Sequence, residues 1–509
     1  MSSRQEYMYW QTVRKLIHEK KYSVLSVAEN LSEIWLESKK EAQIVRVVRH
    51  TFNWANEMEH DANQVYYVAD TYRKRSMKRN LRLVNIYISD HEPVNDWTDV
   101  IGAKKADHIQ VQTFLISRAE RESYEDLYRQ LQLSLFIPET DELDSDIRAL
   151  QMEVVDGINE EREKEKNLFN YSKPFFSYLF LAIQIVMYLV LELNGGSQDN
   201  NTLLKYGAKF TPYILAGEWW RLVTPIFLHI GFLHLLMNSF ALYSIGPLVE
   251  RIYGRARFVF IYLLAGITGV LGSMVFSTSL SAGASGAIFG LFGALLYLGV
   301  QHKALFFRTM GVNVIGIIVI NLIYGFSVSG IDNAGHIGGM IGGFLAAAIV
   351  ALPKDRNKAL QIGAFVVTAL LVGGSLVYSY SDQNLVKNED MAFQSTQQYV
   401  SENKYEEALK IVKPYEDRHI KSGKMMTALG VIEFQKGNID ASREDLEKAI
   451  KYDPSFAHPY YVLGVIYANE GDLTKATEFV QKAVDLNPDA EGYQELLDRL
   501  KQEAPQGNS

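Results

Sequence analysis

The middle of this 509-residue chain is almost free of charge. Residues 174–353 hold only 8 of its 51 Lys and Arg and 5 of its 59 Asp and Glu, although they make up more than a third of its length. A soluble domain of that size carries several times as many, whereas a hydrocarbon layer of ~30 Å selects against charge over each ~20-residue helix that crosses it. The centre therefore reads as a polytopic helical membrane domain, and the charged flanks read as separate soluble domains.

Apolar runs between charges fall at 174–193, 232–249, 258–277, 284–300, 311–326, 334–352 and 360–380, which predicts seven spans over residues 174–380. Residues 194–223 read as a long polar and aromatic loop at the membrane interface. Basic residues mark the cytoplasmic side, and they occupy alternate connections: Arg251, Arg255 and Arg257, then Lys303 and Arg308, then Lys354, Arg356 and Lys358. With Lys173 before the first run, this predicts a multi-pass protein of the cell membrane with its N-terminus cytoplasmic and its C-terminus extracytoplasmic. The first 19 residues are polar and lack the apolar core of a signal peptide, so insertion is expected to depend on the internal spans. The net charge of −8 argues against a nucleic-acid partner, and the absence of cysteine excludes disulfides, thiolate metal sites and a cysteine nucleophile.

From about residue 389 the chain repeats every 34 residues: Gly430 and Gly464, Gly437 and Gly471, Ala449 and Ala483, Pro454 and Pro488. That period predicts an all-α tetratricopeptide-repeat domain over 389–500, with a poorer first copy near 389–422 that keeps Ala408 in register. Such solenoids take a protein or peptide partner. Residues 1–170 alternate β-rich stretches (22–28, 44–48, 81–88 and 109–115) with helical ones (53–78 and 123–133), which predicts an α/β or α+β cytosolic domain. His60 with Asp61, and His91 with Glu92, are its weak candidates for a divalent cation, and solvated surface is the preferred reading of both. No metal is assigned, and no cofactor is expected.

Polar residues inside spans are costly and mostly functional, which leaves a short set: His229, His234, Asn238, Glu250, Ser285 and His336. Ser285, His336, His234 and Asn238 fall in the first turns of runs that all enter from the outer side, so they share one depth. Serine becomes a nucleophile when a histidine removes its proton, and Ser285 with His336 supplies that pair. Asp332 in an outer loop and Glu250 at the opposite face leave no acid to orient His336, so a dyad is expected. Phe289, four residues after Ser285, is placed to lie against the imidazole. His234 and Asn238 present two side-chain donors on one helical face, and the Ser285 N–H adds a third for an oxyanion. Glycines at 286, 290 and 293, and at 335, 339 and 343, predict close approach of the helices that carry Ser285 and His336.

Trp220-Arg221, His229 through His234 to Asn238, Gly246-x-x-x-Glu250-x-x-x-Gly254, Gly283-Ala284-Ser285-Gly286 and Gly335-His336-Ile337-Gly338-Gly339 stand in the order found in the rhomboid family of intramembrane serine proteases, which residues 174–380 strongly resemble. The resemblance implies an endopeptidase that cleaves transmembrane segments of membrane proteins, with a role in membrane-protein processing or quality control. It implies Ser285 as nucleophile, His336 as base and then acid, and His234 and Asn238 as oxyanion donors. His229, Trp220, Arg221, Glu250, Arg251, Gly283 and Gly286 would support them. Phe289 stands where many members have tyrosine, so the stacking is kept and the hydroxyl is lost. The seventh span and the two flanking domains exceed a six-helix core and imply regulation or recruitment. The alternative is an inactive rhomboid-like adaptor, which would ordinarily lack the Ser or the His. A transporter would string polar groups through the bilayer, whereas here they gather at one level.

Overall fold

The computed structural model describes residues 3–503 apart from 39, 107, 118–120, 135–142, 329 and 354–356. Lys354 and Arg356 of the basic-residue pattern thus lie outside the described residues. Two compact units are present: Met1–Tyr171 with Leu298–Ile315, and Ser172–Tyr297 with Gly316–Ser509.

The first unit runs α1 (Ser3–His18), β1 (Ser23–Val27), β2 (Glu33–Glu37), β3 (Gln43–Arg49), α2 (Ala55–Arg75), β4 (Leu81–Ile88), β5 (Gly102–Ala106), β6 (Ile109–Ile116), α3 (Arg121–Gln130) and α4 (Asp144–Phe169). The six strands form one mixed sheet in the order β1-β2-β3-β4-β6-β5, with β3, β4 and β6 parallel to one another. Parallel strands are covered on both faces, and the period-two alternation shows it. Val45, Val47, Val84 and Ile86 pack under α1 and α4 with Trp10, Leu16 and Val154. Ile44, Leu81 and Leu83 pack under α2 with Val65 and Ala69. The four β-rich stretches coincide with β1, β3, β4 and β6, while β2, β5, α1 and α4 went unread. Segment Leu298–Ile315 belongs to this unit through Arg308, which pairs with Glu165 at 2.5 Å and donates to the Val24 carbonyl.

The apolar region continues as α5 (Phe176–Leu193), α6 (Asn200–Tyr206), α7 (Thr211–Leu215), α8 (Phe232–Tyr253), α9 (Arg255–Phe276), α10 (Ser285–Gln301), α11 (Lys303–Thr309), α12 (Gly311–Ser327), α13 (Asn333–Val350) and α14 (Lys358–Ser379). Each of the seven apolar runs is helical. Among the described residues α5, α8, α9, α13 and α14 are long and apolar enough to cross a bilayer; α10 has 17 residues, and α12 joins α11 at a 72° bend that makes the pair a sixth candidate. The stretch read as a long polar and aromatic loop carries two short helices, α6 and α7. Asp199 caps α6 by accepting from Thr202 N at 2.7 Å, and Gly207, at φ +100°, ends it. Two 3₁₀ turns, Trp219–Leu222 and Thr224–Phe227, follow α7.

Close approach of backbones organises the helices around α13. A methyl group at Gly339 would lie 2.0 Å from the Gly286 carbonyl of α10, and one at Gly338 would lie 2.7 Å from the Thr268 carbonyl of α9. Such contacts are the main source of helix association where lipid removes the hydrophobic drive.

Past α14, α15 (Asp382–Lys387) leads into three helix pairs, α16 (Glu389–Ser401) with α17 (Tyr405–Asp417), α18 (Gly423–Gln435) with α19 (Ile439–Tyr452), and α20 (Ala457–Asn469) with α21 (Leu473–Leu486), closed by α22 (Tyr493–Glu503). The repeat is physical as well as sequential: Gly430 sits against Leu446 as Gly464 sits against Val480, 34 residues on. The first pair is not a free module. Leu385, Phe393, Val400, Ile411 and Tyr415 share one buried cluster with Leu204, Phe210, Tyr213 and Leu215 of α6, α7 and their surroundings. Tyr380 also donates to the Ile214 carbonyl at 3.1 Å, and Lys387 to the Val275 carbonyl at 2.9 Å.

Candidate active site

Ser285 is the first residue of α10, and His336 lies in the first turn of α13. The glycine contacts bring these helix starts together, leaving Ser285 Oγ 2.9 Å from His336 Nε2. The imidazole is flanked by Phe289, whose ring lies parallel to it at 4.4 Å and 7°. Its other nitrogen, Nδ1, is buried without a hydrogen-bond partner among the described residues. The nearby acid, Asp332, caps α13 instead by accepting from Gly335 N at 2.9 Å. The acid three residues before Gly335 is the sequence signal of that cap.

His229 and His234 meet edge to face at 5.3 Å. His229 is fully buried, and its Nε2 accepts from Ala284 N at 3.4 Å, one residue before Ser285. His234 lies against Gly283, where a methyl group would come within 2.6 Å of the ring. Asn238 is buried, and its amide donates to the His234 carbonyl at 2.9 Å, which uses one of its two N–H donors within α8.

The remaining residues hold the frame. Arg221 is buried, pairs with Glu218 at 2.6 Å, donates to the Ala208 carbonyl at 3.0 Å, and lies over the rings of Trp220 and Tyr213. Trp220 itself is half exposed. Glu250 is fully buried, and its carboxylate accepts from the N–H groups of Phe175, Phe176 and Ser177 and from the Ser177 hydroxyl. It caps the N-terminus of α5 from another helix. Arg251 is exposed. Gly286 faces Gly269 and the Gly335 carbonyl. The α9 glycines Gly269 and Gly272, which stand at three-residue intervals with Gly266, join this contact and were not among the glycines expected to approach.

In the N-terminal unit Asp61 is committed to Arg46, which donates to both its oxygens, and to the Tyr87 hydroxyl. His60 bonds Gln64, the His91 ring bonds the Glu92 carbonyl, and Glu92 accepts from Ser117. Among the described residues no three His, Asp or Glu gather as a metal site.

Over 473 residues, covering 91% of this chain and 92% of the relative, the sequence is 38% identical to rhomboid protease GluP of Bacillus subtilis strain 168. The chain belongs to the rhomboid family. Residues 216–353 match the rhomboid domain, while 430–471 and 457–490 match tetratricopeptide repeats. The putative rhomboid protease YdcA of the same organism is 36% identical over 183 residues, 35% of this chain and 89% of that one. Rhomboid protease AarA of Providencia stuartii is 28% identical over 247 residues, 42% of this chain and 86% of that one. The protein is thus a membrane-embedded serine protease of the rhomboid type, with added tetratricopeptide repeats and an N-terminal sheet domain.

Proposed function

We propose that this rhomboid cleaves transmembrane segments of membrane proteins with a Ser285–His336 dyad. The contact of Ser285 Oγ with His336 Nε2 at 2.9 Å carries the reading. Nε2 takes the Oγ proton as Oγ attacks the amide carbonyl, and returns it to the leaving amine; water then cleaves the acyl-enzyme by the same exchange. With no carboxylate on Nδ1, stacking on Phe289 orients the ring. The Ser285 N–H, His234 and the second N–H of Asn238 stabilise the oxyanion. Asn238→Ala is expected to lower kcat by about 10²–10³ with the protein still folded, as for loss of one such donor elsewhere; unchanged turnover would remove Asn238 from the site.

An amide in an intact helix is sheltered by its own turn, so the substrate helix must unwind before reaching Ser285. Purified protein in liposomes is therefore expected to cleave a single-span substrate with Gly or Pro near the outer end of its helix, and to spare a polyleucine span of equal length. Equal cleavage of both would overturn that requirement, and cleavage of neither would overturn the activity.

The domain limits proposed are 1–170, 174–380 and 389–500, with the N-terminal domain cytoplasmic, the repeats outside the cell membrane, and the repeats taking a protein or peptide client. The absence of cysteine makes the orientation testable. A cysteine placed at exposed Asp440 is expected to react with an impermeant maleimide on intact cells, and one at exposed Tyr67 only after permeabilisation. The reverse pattern would overturn the orientation.

A further inference from the structure

The segment between α9 and α10 delivers Ser285, and its anchorage has an unexpected centre. Lys209, between α6 and α7, is fully buried. Its backbone exchanges two hydrogen bonds with Ser281, Lys209 N to Ser281 O at 2.8 Å and Ser281 N to Lys209 O at 3.1 Å. Its Nζ donates to the carbonyls of Ser277 at 3.2 Å and Ser279 at 3.0 Å. Two further contacts finish the anchorage: Gly283 N donates to the Pro225 carbonyl at 2.9 Å, and Ala284 N to His229. Residues 277, 279 and 281 thus all hang on one side chain and its own peptide groups.

The placement suits a cation. Ser277 is the C-cap of α9 and Ser279 lies just past it, so the ammonium sits off the end of the helix where its dipole is negative. Lys387 uses the same end through the Val275 carbonyl. Burial pushes the Lys209 pKa down to about 8, against the attraction of Asp332 and with the repulsion of Lys387, so the ammonium keeps its charge at neutral pH.

We propose that Lys209 is a positioning residue for proteolysis, tying segment 277–281 to the α6–α7 region so that the start of α10 presents Ser285 Oγ and its N–H in register with His336. The proposal rests on the dyad reading. Removing the ammonium takes the Nζ donor from the Ser277 and Ser279 carbonyls and loosens the stretch 277–280 that leads into the remaining ties at Ser281, Gly283 and Ala284. The defect then falls on the chemical step, because the substrate-binding surface is not built from Lys209.

The test uses the full-length protein in detergent and compares wild type with Lys209→Met, which keeps the stem without its donors, and Lys209→Gln, which keeps one amide donor on a shorter stem. Three quantities are measured: kcat and KM on a single-span fluorogenic substrate, the rate at which a fluorophosphonate labels Ser285, and the fraction of protein that labels at completion. Lys209→Met is expected to lower kcat about 10–100-fold, as a misplacement near 1 Å does, with KM within about threefold and the labelling rate falling in step. Lys209→Gln should fall between the two. Unchanged kcat in Lys209→Met would overturn the proposal. So would a reduced labelled fraction at an unchanged labelling rate, which marks loss of folded protein alone. If Lys209→Met fails to fold, Lys209→Gln decides on the same readouts. Ser285→Ala run in parallel separates the two levels: turnover in that variant defeats the dyad itself, whereas an inactive Ser285→Ala beside a fully active Lys209→Met defeats only the role of Lys209.

Discussion

Ser285→Ala and His336→Ala are each expected to abolish cleavage while leaving the melting temperature near that of wild type. Nucleophile and base act as one unit. In soluble serine proteases, losing either costs about 10⁶ in kcat, roughly what losing both costs, and at ~1.4 kcal/mol per tenfold that is about 8 kcal/mol of transition-state stabilisation. Here the unit is the 2.9 Å contact between Oγ and Nε2. The double variant should be no slower than either single one. Stability should survive because neither group is a structural tie: among the described residues the imidazole's one hydrogen-bond partner is Ser285, and Nδ1 has none. The measurement is turnover of a single-span substrate in liposomes alongside thermal unfolding. Appreciable cleavage by either variant would end the dyad assignment, and collapse of the fold would show that these side chains stabilise as well as react.

The membrane region was legible because lipid makes the rules strict. Charge is excluded from a hydrocarbon span and backbone groups must pair within it, so apolar runs and helices coincide. The same strictness singled out Ser285, His336, His234 and Asn238, since polar groups persist there chiefly where they act. The repeats were legible for another reason: the 34-residue period encodes a packing contact, glycine against the next helix, that α18–α19 and α20–α21 share.

What escaped the sequence was mostly long-range pairing of loops. Residues 194–223 look polar because their apolar positions are spaced irregularly, yet Leu203, Phe210 and Ile214 are buried through contacts with distant segments. Lys209 looked like one more loop charge, for nothing nearby in sequence betrays that its partners lie 68 and 70 residues away. In the N-terminal domain β2 was hidden by glutamates at both ends, and α1 by its charged face, although its other face carries the buried Tyr9, Trp10 and Leu16. The docking of the first repeat on α6 and α7 was equally invisible, because periodicity describes the fit of repeats to each other and not to a neighbour.

Glu250→Ala is expected to be the most destabilising single change away from the chemistry, costing about 3–5 kcal/mol. Both carboxylate oxygens are used: one accepts from Phe175 N and Phe176 N at 2.8 and 2.9 Å, the other from Ser177 N at 2.9 Å and its hydroxyl at 2.7 Å. Those three amides are orphan donors at the start of α5, which no residue of α5 itself can satisfy. Hydrogen bonds to a charged acceptor contribute about 1.5–3 kcal/mol each and do not add fully, whereas leaving buried donors bare costs more in lipid than in water. The negative charge also faces the positive end of the α5 dipole. Glu250→Gln isolates that charge: it keeps the shape and one acceptor oxygen but turns an NH₂ toward amides that also donate, so its loss should be smaller than that of alanine and clearly above zero. Thermal unfolding in one detergent, with fluorophosphonate labelling to count folded sites, measures both. A melting temperature for Glu250→Ala indistinguishable from wild type would mean that water or a neighbour caps α5 as well, and the order alanine below glutamine below wild type is the result that supports the cap.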